Sequence, residues 1–395
     1  MQFVVFGLGL LLFISLILVH EWGHYIMARR NGVDVEEFGL GFPPRAYGKK
    51  RKSGMILSIN WLPLGGFVKM KGEHDSDERK GSLGAASLGV KSKIMLAGVA
   101  MNLIAGLLLL TVLAWMGMPK LITQDSVGQD QFTVASDTRV IRQAVLAGSV
   151  EPGSPANSIG LRSTDQLYSI SNEKQVRVVT TVPQLHNATT AFAGQKVTVA
   201  YKRNGETLTS NTRLLSPAVV AASLKTDNPK GFLGVIPTNV TIQRSTWSAP
   251  IVALGLAKQI TVLTFQGLGH ALGGLGSTIA GLATSNHQAR ENGQDNASAQ
   301  VGGPVAIGVA LWNSGSLGIN FMLLLIALIS LTLAIMNVLP IPALDGGRLF
   351  MMLVSRGLFR RPLSRASEER IVGASFALIM ALVLLITVVD VKRFF

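Results

Sequence analysis

The sequence predicts a polytopic α-helical membrane protein with four transmembrane helices, a membrane-associated β-hairpin on the cytoplasmic side and a mixed α+β domain outside. Three observations carry this prediction. Hydrophobic residues fill 48% of the 395 positions and charged residues only 15%, too apolar a balance for an ordinary soluble chain. Uncharged stretches suited to a bilayer core, which takes roughly 20 helical residues, run from Phe3 to Val19 (continuing helically to Ala28), Ile94 to Trp115, Leu317 to Val338 and Ile371 to Val389. Positive charge gathers beside them, with 13 Lys and Arg against 7 Asp and Glu from Arg29 to Lys93, and 6 against 3 from Asp345 to Arg370.

That placement assigns the net charge of +14 to loops flanking a membrane and not to nucleic-acid binding. The first apolar stretch is no signal peptide, because it lacks a basic leader and its charges, Arg29 and Arg30, follow it. By the positive-inside rule the N-terminus faces out and Arg29 faces the cytoplasm. Two basic loops inside then put residues 116–316 outside. The expected organisation is a first transmembrane helix in 1–30, a cytoplasmic loop with the hairpin in 31–93 and a second helix in 94–116. A folded outer domain follows in 120–240, then outer segments in 245–316, a third helix with a ligand-bearing segment in 317–348 and a fourth helix in 371–390. The apolar run Ala249–Ala283 is interrupted by Lys258 and Gln259 and weakened by seven glycines. It reads as amphipathic segments on the outer membrane face.

The absence of cysteine excludes disulfides, thiol nucleophiles and Cys-held metals, so any metal must be held by His, Asp or Glu. His20-Glu21-Trp22-Gly23-His24 ends the first span. On a helix, positions i and i+4 share a face, so both imidazoles can reach one ion, while Glu21 can reach a water there. The competing reading is a polar anchor at the interface. Against it, His20 and His24 lie roughly 13 and 7 Å deeper than Arg29, where ionisable groups are costly unless they serve a site. Two histidines leave a catalytic zinc one protein ligand short. After the third span, Pro340 and Pro342 break the helix where irregular backbone must be buried in protein or line a cavity. Asp345 in that break is the candidate third ligand; taken alone, the segment would read as an Asp turn before Gly346 and Gly347.

These residues make the chain resemble the site-2 proteases, polytopic zinc metalloproteases that cut substrates within the membrane. His20 to His24 and Asn337-x-x-Pro340-x-Pro342-x-x-Asp345-Gly346-Gly347 match the two defining motifs. Ala97 to Asn102 is similar to the AGPxxN segment of that family, with Val99 in place of proline, and Gly303-Pro304-Val305 resembles its motif before the third span. The resemblance implies a Zn2+ cofactor held by His20, His24 and Asp345, with Glu21 as general base and Asn337 contacting substrate backbone. It also implies regulated intramembrane proteolysis of single-pass membrane proteins in the cell inner membrane, such as anti-sigma factors or signal-peptide remnants. The other reading is a catalytically idle membrane adaptor with a structural zinc, which would have no need of Glu21. Topology and ligands agree in this scheme, since four spans bring Asp345 to the depth of the histidines and a fifth crossing at Ala249–Ala283 would separate them.

In 120–240, Val150 to Asp165 and Gly231-Phe232-Leu233-Gly234-Val235, with alternating runs such as Lys196–Lys202, resemble the single PDZ domain of bacterial relatives. The usual Gly-Asp stands here as Thr164-Asp165. Binding of a peptide tail and a size filter over the active site are both open roles. In the cytoplasmic loop, Ile56–Trp61 and Phe67–Met70 flank Leu62 to Gly66 and read as a β-hairpin. Its role is either anchoring or offering the edge of Ile56–Trp61, with Ser58, Ile59 and Asn60 as substrate-binding candidates, to an unwinding substrate. His74, His186, His270 and His287 read as solvated histidines.

Overall fold

The computed structural model describes residues 2–123, 128–203, 205–226, 229–283 and 303–394. His287 lies outside them. Contacts divide the chain into two compact units, one of Met1–Phe6, Thr111–Val252 and Trp312–Leu324, the other of Gly7–Leu110, Ala253–Leu311 and Leu325–Phe395.

In chain order the elements are α1 (Gln2–Arg30), β1 (Val35–Lys50), β2 (Ile56–Met70), α2 (Leu88–Met116), β3 (Met118–Pro119), β4 (Arg139–Val150) and α3 (Pro155–Ser158). Next come β5 (Gln166–Ser171), β6 (Val176–Val178), α4 (Val182–Ala191), β7 (Lys196–Arg203), β8 (Glu206–Arg213), α5 (Pro217–Ser223) and β9 (Val235–Arg244). Five helices follow among the described residues: α6 (Ala249–Ala283), α7 (Pro304–Leu317), α8 (Ile319–Val338), α9 (Asp345–Gly357) and α10 (Arg365–Phe394).

Among the described residues, five helical segments are long and apolar enough to cross a membrane: Phe3–Arg30, Leu88–Met116, Ala249–Ala271, Ile319–Val338 and Arg365–Lys392. The protein is therefore a helical membrane protein carrying β-structure. Four of the five coincide with the expected spans. The third of them begins two residues later than expected, because Gly318 at φ 106° separates α7 from α8. The fifth candidate differs from the expected amphipathic segments. Its glycines do not interrupt α6, since backbone groups in an apolar setting lose too much by leaving a helix.

In the second unit, α1 ends where Gly32 takes a left-handed conformation (φ 75°) and Val33 N–H returns to the Ala28 carbonyl, a glycine C-cap. The helix directions follow from side-chain meetings. His20 faces Asn102 and His24 faces Ile94, so α1 and α2 are antiparallel. Ser330 donates to the Asn102 carbonyl, and one turn further along α2 a Cβ at Gly106 would meet the Ala327 carbonyl, one turn earlier in α8, so α2 and α8 are antiparallel as well. Hence α1 and α8 run the same way.

β1 and β2 differ from the expected hairpin. Strand β1, rich in Gly and Pro and not anticipated from the sequence, inserts Glu37–Leu40 between two parts of β2, pairing Lys69–Gly66 in opposite order on one side and Ile56–Ile59 in the same order on the other. Gly48–Lys50 then pairs with Ser58–Ile56 on its remaining side. Ile56–Ile59 is thus an interior strand, and the expectation that it offers an edge is corrected. Gly66–Met70 is the edge instead, with no further strand paired to it among the described residues. Beneath it lies a buried cluster of Ala28, Val33, Val35, Val68, Met70, Leu83, Ile94, Met95 and Leu349, which joins α1, β1, β2, α2 and α9. The loop into α2 is tied down by charge: Asp75 accepts from Lys91 (2.5 Å) and Arg356 (2.9 Å), and its own N–H donates to Glu368 (3.1 Å).

The first unit is built on a sheet of order β3-β9-β4-β5-β7-β8, with β6 beside β5. In β7, Val197, Val199 and Tyr201 are buried on alternate positions, the period of two that gives a strand one inner face. They pack with Val145, Leu167, Ile170, Leu185, Phe192, Leu214 and Leu233. Helix α4 starts with a capping box in which Thr181 accepts from Gln184 N–H and Gln184 returns the bond. At the start of α6, the Asp137 carboxylate accepts from the N–H groups of Thr246 (2.7 Å) and Ser248 (3.0 Å). Burial alone would raise the Asp137 pKa, but the bonds from Ser248 and Thr246 outweigh it and hold the carboxyl below the usual range.

Candidate metal centre

His20 and His24 stand one turn apart on α1, as their spacing requires, and Asp345 comes to them in the first turn of α9. Gly346 and Gly347 make that approach possible. A Cβ on either would strike the carbonyls of Val338 or Ile341, so only glycine lets α9 fold directly back on the Pro340–Pro342 break.

The three donor atoms form a nearly equilateral triangle. His20 Nε2 is 3.1 Å and His24 Nε2 3.2 Å from Asp345 Oδ2, and the two Nε2 atoms are 3.2 Å apart. Tetrahedral zinc, with donors at about 2.0–2.1 Å, places them about 3.3 Å from one another. Asp345 Oδ2 is buried and accepts no aligned hydrogen bond, near as both nitrogens are. The Nε2–Nε2 contact would need a proton on one ring, a role that a cation takes over. Among the described residues this is the one group of three His, Asp or Glu side chains placed to hold a metal. The donor set therefore fits zinc.

Helix α2 supplies what stands behind the rings. His24 Nδ1 lies 2.8 Å from the Ile94 carbonyl, which can only accept, so Nδ1 carries the hydrogen and Nε2 is left bare. His20 Nδ1 lies 3.2 Å from the Asn102 side-chain amide. Between them, a Cβ at Gly98 would meet His20 Cε1 at 2.6 Å and the His24 Nε2 atom as well. Ile94, Gly98 and Asn102, spaced by four, form one stripe of the helix.

Glu21, His20, His24 and Asp345 line one cavity of about 520 Å³ together with Gly66–Met70, Glu73, Met95, Ala343 and Arg348. A Cβ at Gly66 would stand 3.2 Å from Glu21 Cγ, so the strand edge runs directly past the carboxylate. The other expected site residues fall elsewhere. Asn337 is half-buried and outside this lining. Ser58 and Asn60 are buried in the interior strand, Asn60 donating to the Gly41 carbonyl at 3.0 Å, and Ile59 is 53% exposed. His74 faces Glu368 and Glu369, while His186 and His270 are exposed.

The sequence profile of peptidase family M50 matches residues 8–382. The chain belongs to peptidase family M50, the site-2 proteases. It is a zinc metalloprotease, with Zn2+ as its cofactor. A Clostridium perfringens protein bearing a zinc-metalloprotease name is 29% identical to it, the alignment covering 99% of this chain and 98% of that one. Zinc metalloprotease RasP of Shouchella clausii is 26% identical over 97% of this chain and 98% of its own. Eep of Enterococcus faecalis, named as a protease, is 24% identical over 99% and 98%. The sequence marks Gly98 only as part of the Ala97–Asn102 segment and Phe67–Met70 only as a strand of the hairpin; that Gly98 lies against the imidazoles and that Gly66–Met70 lines the cavity is seen only in the structure. A glycine one turn from an Asn in an apolar span, as Gly98 is from Asn102, is the signal that could have found the first.

Proposed function

We propose that this M50 protease cleaves transmembrane segments of single-pass membrane proteins at the cavity lined by Glu21 and the three metal-holding residues. The observation that carries the reading is the meeting of a His-His-Asp donor set, an adjacent carboxylate and an open strand edge in one cavity. His20, His24 and Asp345 are the zinc ligands. Zinc supplies Lewis-acid polarisation of the scissile carbonyl and makes a water more acidic. Glu21 takes the proton of the attacking water and passes it to the leaving amine.

A helical substrate must open before it is cut, and each backbone group left unpaired in lipid costs several kcal/mol. The edge Gly66–Met70 can replace those bonds by strand addition, pairing main chain without asking for a particular side-chain sequence. Met70 N–H already points away from β1, to Glu73 Oε1 at 2.8 Å. By strand alternation, the N–H groups of Gly66 and Val68 point to the same open side.

Four crossings fit best. Since α1 and α8 run the same way, the chain crosses an even number of times between the end of α2 and the start of α8. A crossing by α6 would need a second one, and the next described helix, α7, has 14 residues, about 21 Å against a core of about 30 Å. The active site then lies near the cytoplasmic side of the inner membrane, with the N-terminus and the sheet domain outside. That domain has the Gly-Phe-Leu-Gly turn before β9 and the α4 helix near that strand, as a PDZ domain would. It takes a peptide tail or screens substrates by size. Anti-sigma factors and signal-peptide remnants are the substrate classes.

Glu21→Gln tests the mechanism. Zinc content should stay at the wild-type level while cleavage in a purified membrane preparation falls at least about 100-fold, the lower end for a lost general base. Near-normal cleavage would refute the role of Glu21, and loss of zinc would make it a ligand or a structural residue.

A further inference from the structure

His24 and His20 are held from behind by the same helix but in different ways. His24 Nδ1 meets a main-chain carbonyl, which settles its tautomer. His20 Nδ1 meets only the side-chain amide of Asn102, at 3.2 Å, whose oxygen and nitrogen can exchange places without changing its shape. If the amide nitrogen donated to His20 Nδ1, the ring hydrogen would sit on Nε2, and His20 could not ligate through the atom that faces Asp345 and His24. That orientation also leaves Asn102 Oδ1 buried without a partner. A ligating imidazole must instead give its second N–H to an acceptor.

We propose that Asn102 is the positioning residue of His20. Its side-chain carbonyl accepts the Nδ1–H, keeping Nε2 bare and the ring turned toward the shared centre. Asn102 is only 1% exposed, so water does not substitute for it. Its own main-chain carbonyl accepts from the fully buried Ser330 hydroxyl at 2.7 Å. The turn that orients His20 is thereby joined to α8, the helix that leads to Asp345. Ile94 and Asn102, two turns apart with Gly98 between them, thus act on the two rings as paired acceptors.

The inference rests on His20 being a zinc ligand, and the experiment separates the two. Full-length protein purified in detergent is stripped of metal, and zinc affinity is measured by competition with a chromophoric chelator for wild type, Asn102→Leu, Asn102→Asp and His20→Ala. Asn102→Leu, close in shape and without an acceptor, should bind zinc about 10- to 100-fold more weakly, with the unfolding temperature of the metal-free protein unchanged. Asn102→Asp keeps an acceptor and loses the donor, so its affinity should equal or exceed wild type. Wild-type affinity in Asn102→Leu would overturn the proposal. So would a weakened Asn102→Asp, which would mean that the amide acts as donor; this variant decides alone should Asn102→Leu fail to fold. His20→Ala should lose at least as much affinity as Asn102→Leu, and unchanged binding there would overturn the ligand reading itself.

Discussion

Gly98 shows how much of this site depends on an atom that is missing. The two imidazoles lie directly on α2 because nothing projects from that position. Gly98→Ala would put a methyl group against the His24 Nε2 atom and His20 Cε1, and helix backbone cannot yield to relieve it. Zinc affinity should fall at least about 10-fold, as it does when ligand orientation is disturbed, with little loss of helix. Gly89→Ala on the same helix, where a Cβ would meet nothing within 4 Å, is the matched control and should bind zinc normally. Equal affinities for the two variants would show that the rings can move aside.

Between residues and molecule, the β1–β2 sheet decides how substrate is met. Its edge differs from the one the sequence suggests, because two parts of β2 take up both sides of Glu37–Leu40 and the end of β1 covers the far side of Ile56–Ile59. Proline at Val68 removes an outward donor, one that also bonds the Glu21 carboxylate, without removing a rung shared with β1, so an extended peptide is the control for any effect through Glu21. One backbone hydrogen bond is worth about 1 kcal/mol, so cleavage of a stable helical substrate should slow roughly 5-fold, with zinc content unchanged. An already extended peptide should suffer less. Proline at Ser58 acts differently: it breaks an interior pairing and should lower the unfolding temperature. If Val68→Pro cleaved helical substrate at the wild-type rate, the edge would be an anchor only.

Across the whole molecule, the number of crossings is the open variable, and the lack of cysteine makes it measurable. Single cysteines at Ser76, Ser171 and Ser364 should react with an impermeant thiol reagent from inside, outside and inside respectively. A cysteine at Gly273, late in α6, should not react from the cytoplasmic side if α6 stays out of the crossing count. Cytoplasmic labelling at Gly273 with Ser364→Cys still inside would mean six crossings. Ser364→Cys labelled from outside would contradict the common direction of α1 and α8.

The sequence by itself determined the class of molecule and singled out His20, His24 and Asp345, the three side chains that the fold brings together. Hydropathy needs only about 20 consecutive residues to declare a span, and the i, i+4 spacing of His20 and His24 is a local property of any helix. Asp345 was legible because two histidines leave a zinc one ligand short and two prolines beside an apolar span set an Asp in a break there. What only the tertiary structure decided is everything that depends on which strand or helix lies alongside another. The interior place of Ile56–Ile59, the Gly66–Met70 edge beside Glu21 and the position of Asn337 outside the cavity are of this kind. So is the stripe of Ile94, Gly98 and Asn102 behind the imidazoles. A strand of Gly and Pro such as β1 carries no hydrophobic period to announce it. It forms because the backbone bonds of Glu37–Leu40 are satisfied on both sides, by partners at least 19 positions away along the chain. Local pattern reports a residue's own turn of helix or pleat of strand, while the choice of neighbour is made by burial and hydrogen bonding across the fold.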